Sequence, residues 1–238
     1  MPRMSAKSRL RELVRRLGLE FGPYWATYRA RRQKLMGHHG VDLVVDVGGN
    51  DGRYGRELRR GGYRGRIVSF EPASGPFRSL ETMAADDPRW DVRKVAVGDE
   101  PGDLTLHVSE SDVFSSLLPM HDVTLKAAPH ARYVRDERVA VERLDTLAAD
   151  APGRALLVKA DVQGFEAQVF DGAPATLERA VMVEVELSPV PVYAGQELLV
   201  ETVQRMERIG LTLALVENVF PDHGSGRAMQ VNGLFARI

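Results

Sequence analysis

Val41-Asp42-Leu43-Val44-Val45-Asp46-Val47-Gly48-Gly49-Asn50-Asp51-Gly52 decides the fold. A continuous apolar run that stops at an acid and passes into glycines is the pattern of a strand buried on both faces of a parallel sheet. It hands over to a helix through backbone that is free to approach a ligand. Gly48, Gly49 and Gly52 do not have the G-x-G-x-x-G spacing that delivers a pyrophosphate to a helix N-terminus. Asp46, two residues before the first glycine, would repel a pyrophosphate. It suits a ligand whose end near the loop is cationic, as are the amino group and sulfonium of S-adenosylmethionine. The plainer alternative is a loop whose Asp only caps the following helix.

Strand and helix alternate outward from this stretch. Residues 53–60 read as a short helix closed by Gly61-Gly62, and 66–71 as a second strand ending at Glu71-Pro72. A carboxylate at that tip can accept two hydrogen bonds from a ribose diol, which serves NAD and S-adenosylmethionine alike. The periodicity places a third strand over 90–97, stopped by Gly98-Asp99. There Asp99 suits either an adenine amino group or a turn before Pro101-Gly102. Further strands are expected at 104–108, 139–141, 155–161, 181–187, 211–216 and 229–238, with helices near 77–84 and 197–209. The expected architecture is an α/β, doubly wound, largely parallel sheet. Asp46, Glu71, Asp99, Asp161 and Glu186 all fall at predicted carboxyl ends of strands, where such sheets bind ligands. The polar stretch 119–135, with His121, His130 and Tyr133, is expected to be a mobile loop facing the substrate.

At 238 residues, 44% hydrophobic and 27% charged, the chain has the makeup of one globular domain with a sizeable core. It has no cysteine, so disulfides, thiolate metal sites and a thiol nucleophile are excluded. No apolar run reaches the roughly 18 residues of a membrane span, and a cytoplasmic protein is expected. The net charge of −1 hides an asymmetry, because residues 1–34 hold ten Lys and Arg against Glu12 and Glu20. Leu10, Leu13, Val14 and Leu17 mark one amphipathic helix in this segment, and 24–36 reads as a second. The aromatic residues do not interleave with the basic ones as a nucleic-acid stacking platform would need. The favoured role is a basic helical cap on an acidic body or on a second subunit of a homodimer, helping to close the cofactor site; the rival is peripheral membrane contact through 1–36.

Seven stretches together resemble the FkbM family of S-adenosylmethionine-dependent methyltransferases: 46–52 (DVGGNDG), 70–72 (FEP), 96–99 (AVGD), 115–117 (SSL), 143–147 (RLDTL), 159–166 (KADVQGFE), and 184–186 (EVE) followed by 192–196 (VYAGQ). They run in the family's order over 41–238, leaving 1–40 as a separate basic helical extension. Two departures are visible: Gly49 stands where the family commonly has Ala, and Asn232 where it commonly has Asp. The resemblance implies a class I methyltransferase, Rossmann-like seven-strand sheet with helices on both faces and the last strand antiparallel. It implies S-adenosylmethionine as cofactor, and O-methylation of a hydroxyl on a sugar, glycan or natural product.

Carried over position by position, the resemblance puts Asp46, Gly48 and Asn50 at the methionine end, Glu71 at the ribose, Asp99 at the adenine, and Ser115 and Ser116 beside the cofactor. Lys159 and Asp161 are two apart on one strand and share a face, so an ammonium can tune a carboxylate that serves as base or orienting group. Lys159 could equally pair with Asp46 or Glu184, and Glu186 is the alternative base. No metal ligand set is assigned. A non-catalytic cofactor-binding scaffold and an NAD-dependent oxidoreductase are the rival functions.

Overall fold

The structure is a computed structural model, and it describes residues 26–238. The predicted helix at 10–17 and the start of the one at 24–36 lie outside the described residues. The described part of the second opens the fold as helix α1, Tyr28–His38, whose N-cap Thr27 Oγ1 accepts from the Ala30 amide at 3.2 Å.

Strand β1 (Leu43–Val47) is buried at every position, as its unbroken apolar run requires. The chain turns from it into α2 (Arg53–Arg60) through Gly48, Asn50 and Gly52, all at positive φ. There follow β2 (Arg66–Phe70), α3 (Ser74–Ala84) and β3 (Trp90–Arg93). After the excursion described next come β7 (Leu156–Ala160), α6 (Glu166–Asp171), α7 (Pro174–Arg179), β8 (Ala180–Leu187), α8 (Leu199–Arg208), β9 (Thr212–Pro221) and β10 (Ala228–Ala236). The main sheet has seven strands in the order β3-β2-β1-β7-β8-β10-β9. All are parallel except β10, which runs antiparallel to both β8 and β9. The chain order reverses across the β1–β7 pair, so the switch point lies where the glycine loop leaves the sheet.

The expected strand over 90–97 is in fact two. β3 ends at Arg93, and β4 (Ala96–Gly98) turns away into a second sheet with β5 (Gly102–Ser109) and β6 (Tyr133–Arg143), in the order β4-β6-β5. The apolar pattern continues through the break because β3 is partly buried and β4 fully so, and only the pair Arg93-Lys94 marks the exit. The stretch 119–135 is likewise ordered rather than a bare loop. It holds α4 (Asp122–Ala127), a single 3-10 turn and the start of β6, pinned where the buried Thr124 donates Oγ1–H to the Val192 carbonyl at 2.8 Å. A short α5 (Leu144–Leu147) leads back to β7.

Two cores flank the main sheet. Val45, Val47, Val158, Ala160, Val183 and Val185 face one of them, with α6, α7 and α8. Val44, Leu157, Met182 and Leu234 face the other, where Tyr28 and Met36 of α1 and Leu58 of α2 cover them. Among the described residues no helix is long and apolar enough to cross a membrane.

Candidate active site

Beyond the carboxyl ends of β1, β7 and β8 the structure opens into two chambers that meet. The first, about 350 Å³, is largely apolar, with Phe70, Val95, Val97, Phe114 and Phe165 among its walls and Glu71 as an acid on its lining. The second, about 320 Å³, is polar and is lined by Arg29 and Arg32 of α1, Tyr54 and Glu57 of α2, and Lys159 and Glu184. Gly48, Asn50, Asp161 and Glu186 line both and so form the junction.

The loop at the junction depends on Gly48. Its φ is +78°, and a Cβ there would lie 1.8 Å from the Asp161 carbonyl oxygen. Asn50, also left-handed, donates its amide to Glu71 at 2.8 Å, and Ala73 donates a second amide to the same carboxylate. Burial raises the Glu71 carboxyl to about 7 despite these two donors, so it titrates near neutrality.

Lys159 sits beneath the junction, with Nζ 3.2 Å from Asp46, 3.6 Å from Asp161, and donating to the Gly48 carbonyl at 2.8 Å. Burial works against its ammonium, but Asp46 and Asp161 outweigh it and the net shift is upward. Lys159 therefore stays charged at neutral pH and holds the glycine loop, the β1 acid and the β7 acid together.

Asp161, whose side chain is 38% exposed, and Glu186 are bridged by one amide. Gln163 Nε2 donates to Asp161 at 2.8 Å and to Glu186 at 2.9 Å, while its Oε1 accepts from the buried Tyr193 hydroxyl at 2.7 Å. Gln163 is held at φ +55°, and its own carbonyl accepts from the Ser116 hydroxyl at 2.6 Å. Gln230 donates a further hydrogen bond to Glu186. Burial, followed by the charges of Asp161 and Glu166, pushes the Glu186 carboxyl well above the usual carboxylate range.

A second network ties α1 to this centre. Arg32 reaches Glu184 at 3.1 and 3.3 Å and Glu57 at 2.5 Å, and the Tyr54 hydroxyl donates to Glu184 at 2.6 Å. Glu184 is the register partner of Lys159 across the β7–β8 pair.

The residues singled out from the sequence are only partly brought together. Gly48, Asn50, Glu71, Ser115, Lys159, Asp161 and Glu186 line a chamber. Asp46 does not: it is fully buried under the loop, accepting from Ser69 Oγ at 2.8 Å and paired with Lys159, because a carboxylate in an apolar strand has to find its charge inside the protein. Asp99 lines neither chamber either, since β4 carries it into the second sheet, where its carbonyl takes the Arg143 guanidinium. Ser116 is buried and acts on Gln163 rather than on the cavity. His121, His130 and Tyr133 line neither chamber; the wall is supplied instead by Val113, Phe114, Val219 and Phe220. Gln163, Tyr54 and Arg32 were missed by sequence reasoning. Gln163 lies in the 159–166 stretch, but nothing in that stretch says that its amide spans two carboxyls.

The methyltransferase FkbM domain model matches residues 46–212, well over half the chain. The 2-O-methyltransferase NoeI of Sinorhizobium fredii (strain NBRC 101917 / NGR234) is 28% identical over 162 residues, which are 65% of this chain and 66% of that protein. The matched region thus spans slightly less than two thirds of that relative's length. Among solved structures, fibrillarin from Aeropyrum pernix with bound S-adenosyl-L-methionine has a TM-score of 0.47 at 12% identity, covering 82% of this chain and 66% of that one. An rRNA methylase from Streptococcus thermophilus has a TM-score of 0.46 at 10% identity, covering 88% and 95%. On the match of the family model, the chain belongs to the FkbM family of S-adenosylmethionine-dependent methyltransferases.

Proposed function

We propose that the protein is an O-methyltransferase that acts on a hydroxyl of a polar small molecule such as a sugar or natural product. The observation that carries this reading is the junction itself, where an apolar chamber and a charged chamber share Gly48, Asn50, Asp161 and Glu186. The apolar chamber has the size and lining of a nucleoside site, with Glu71 available to a ribose diol. The name of the 2-O-methyltransferase relative supports oxygen as the acceptor atom.

Bound S-adenosylmethionine would supply an electrophilic methyl group, leaving the chain to align the hydroxyl and accept its proton. Asp161 suits the proton acceptor better than Glu186, because burial disfavours the charged form of Glu186 while Asp161 stands part-exposed beside the Lys159 ammonium. Gln163 fixes both carboxyls, and Lys159 fixes the loop against which the cofactor would lie.

The test is Asp161→Asn, assayed by mass spectrometry for a methylated product, with S-adenosylhomocysteine affinity measured by calorimetry. Turnover should fall by about 10²–10⁴-fold with affinity within a few-fold. Full turnover at saturating cofactor would remove Asp161 from the chemistry, and tight NADH binding without S-adenosylhomocysteine binding would sink the whole reading.

A further inference from the structure

Behind the polar chamber lies a third cavity, about 320 Å³, between α1 and α2. It is continuous with that chamber through the shared residues Arg29, Arg32, Arg53 and Glu57, and it adds Arg56 and Arg60. Arg53, Arg56 and Arg60 lie three and four apart, on one face of α2; Arg29 and Arg32 present the same charge from α1. Five guanidinium groups thus line a cleft that contains one carboxylate, Glu57.

Glu57 is already committed to α1, with Arg29 at 2.7 Å and Arg32 at 2.5 Å, and Arg53 pairs with Asp51. Among the described residues, Arg56 and Arg60 make no ion pair. Two helices that present like charges across a concave space repel each other unless an anion enters. Here α1 is held in place regardless, because Arg32 is anchored on the buried Glu184. A basic cleft kept open in this way is preorganised for a ligand. Several planar forks around one cavity match a phosphoryl group better than a single carboxylate.

We propose that this cleft is the subsite for a phosphoryl or diphosphoryl group of the methyl acceptor, so that the acceptor is a phosphorylated or phosphate-linked polyol. The proposal rests on the O-methyl-transfer reading and names the substrate class for it. The phosphate could be carried by a soluble sugar phosphate or by a lipid, and the two are separable by experiment.

The test is calorimetry of the full-length protein with inorganic pyrophosphate at low salt, which needs neither turnover nor cofactor. Saturable binding is expected, and Arg56→Ala with Arg60→Ala should weaken it by about 10–100-fold, since each charge-assisted contact is worth roughly tenfold. The double Lys variant should recover part of the loss, and S-adenosylhomocysteine affinity should stay within about twofold as the check on folding. Vesicles of phosphatidylcholine with phosphatidylglycerol form the second arm. Vesicle binding that pyrophosphate displaces supports a lipid-borne acceptor, and pyrophosphate binding without vesicle binding supports a soluble one. No pyrophosphate binding, binding unchanged in the Ala variant, or vesicle binding that pyrophosphate does not displace would each overturn the proposal. Because the isotherm is independent of methyl transfer, a failure of the Asp161 test leaves it readable.

Discussion

Replacing Arg32 by Met tests whether α1 is part of the domain or an ornament on it. The Arg32 and Glu184 side chains are each 5% exposed, and Glu57, the other partner, is 27% exposed. Removing one partner of a buried pair typically costs about 3–5 kcal/mol, because the remaining charge is left in low dielectric. Met fills the aliphatic volume of the Arg stem, so little of the loss would come from a cavity. For a chain of this length, about 2–4 °C of melting temperature is lost per kcal/mol, which gives a drop of about 6–20 °C. Thermal and urea unfolding followed by circular dichroism would measure it. The double variant Arg32→Met/Glu184→Gln, which removes both charges, should be less destabilised than the sum of the two single variants by more than about 1 kcal/mol. A loss below about 1 kcal/mol for Arg32→Met, the value of an exposed pair, together with additivity in the double variant, would refute the anchoring role.

Gly48→Ala should abolish S-adenosylhomocysteine binding in calorimetry and lower the melting temperature, since its Cβ would collide with the Asp161 carbonyl at 1.8 Å in a left-handed backbone. Glu71, raised from 4.5 to about 7, should make cofactor affinity fall as pH drops through about 7, because the charged carboxylate accepts from both hydroxyls of a ribose diol more strongly than the neutral acid; Glu71→Gln should flatten that profile. The stability of the ligand-free protein runs the other way. A raised folded pKa means that the folded state binds the extra proton between 4.5 and about 7, so the contribution of Glu71 is full below that window and is lost as pH rises through it; acid–base titration of the unfolding midpoint would show the sign. Gln163→Gly relieves a left-handed side-chain-bearing residue but removes the amide between Asp161 and Glu186. Stability should change by no more than about 1 kcal/mol, while methyl-transfer turnover, followed by mass spectrometry of the product, should fall by about 10–100-fold, the worth of a charge-assisted hydrogen bond.

The main sheet was legible because its strands are nearly continuous apolar runs, and the acids that end them are legible for the same reason: they interrupt the run. What such a pattern cannot report is on which side of the rim an acid emerges. Asp46 and Asp161 look alike in sequence, each at the end of a buried strand, yet one is sealed under the glycine loop and the other opens into both chambers. The difference is length. Asp46 lies one residue inside β1, whose pairing runs to Val47, whereas Asp161 lies one residue beyond Ala160, the end of β7. The break at Arg93-Lys94, beyond which the chain leads to Asp99, left no trace, because apolar alternation is indifferent to which sheet a strand joins. The loop at 119–135 misled because its order comes from single long-range bonds, such as Thr124 to Val192, which leave no periodic trace.

Parity then explains why the chemistry collects where it does. Leu157, Lys159 and Asp161 alternate with Val158 and Ala160, and on the next strand Met182, Glu184 and Glu186 alternate with Val183 and Val185. One face of the pair is apolar along its length and packs on α6 and its neighbours. The other is apolar only at its start, where Leu157 and Met182 meet Val44 and Leu234, and becomes charged over the last residues. A strand face that changes from apolar to ionic needs a covering element with the same gradient. Helix α1 provides it, with Met36 over the apolar part and Arg32 over Glu184. Arg32 is therefore not a solvated charge, because it neutralises the acid beside Lys159, and this frees the Lys159 ammonium for Asp46 and Asp161. Arg32 of α1 and the acids at the ends of β7 and β8, far apart along the chain, form one electrostatic unit at the junction of the chambers.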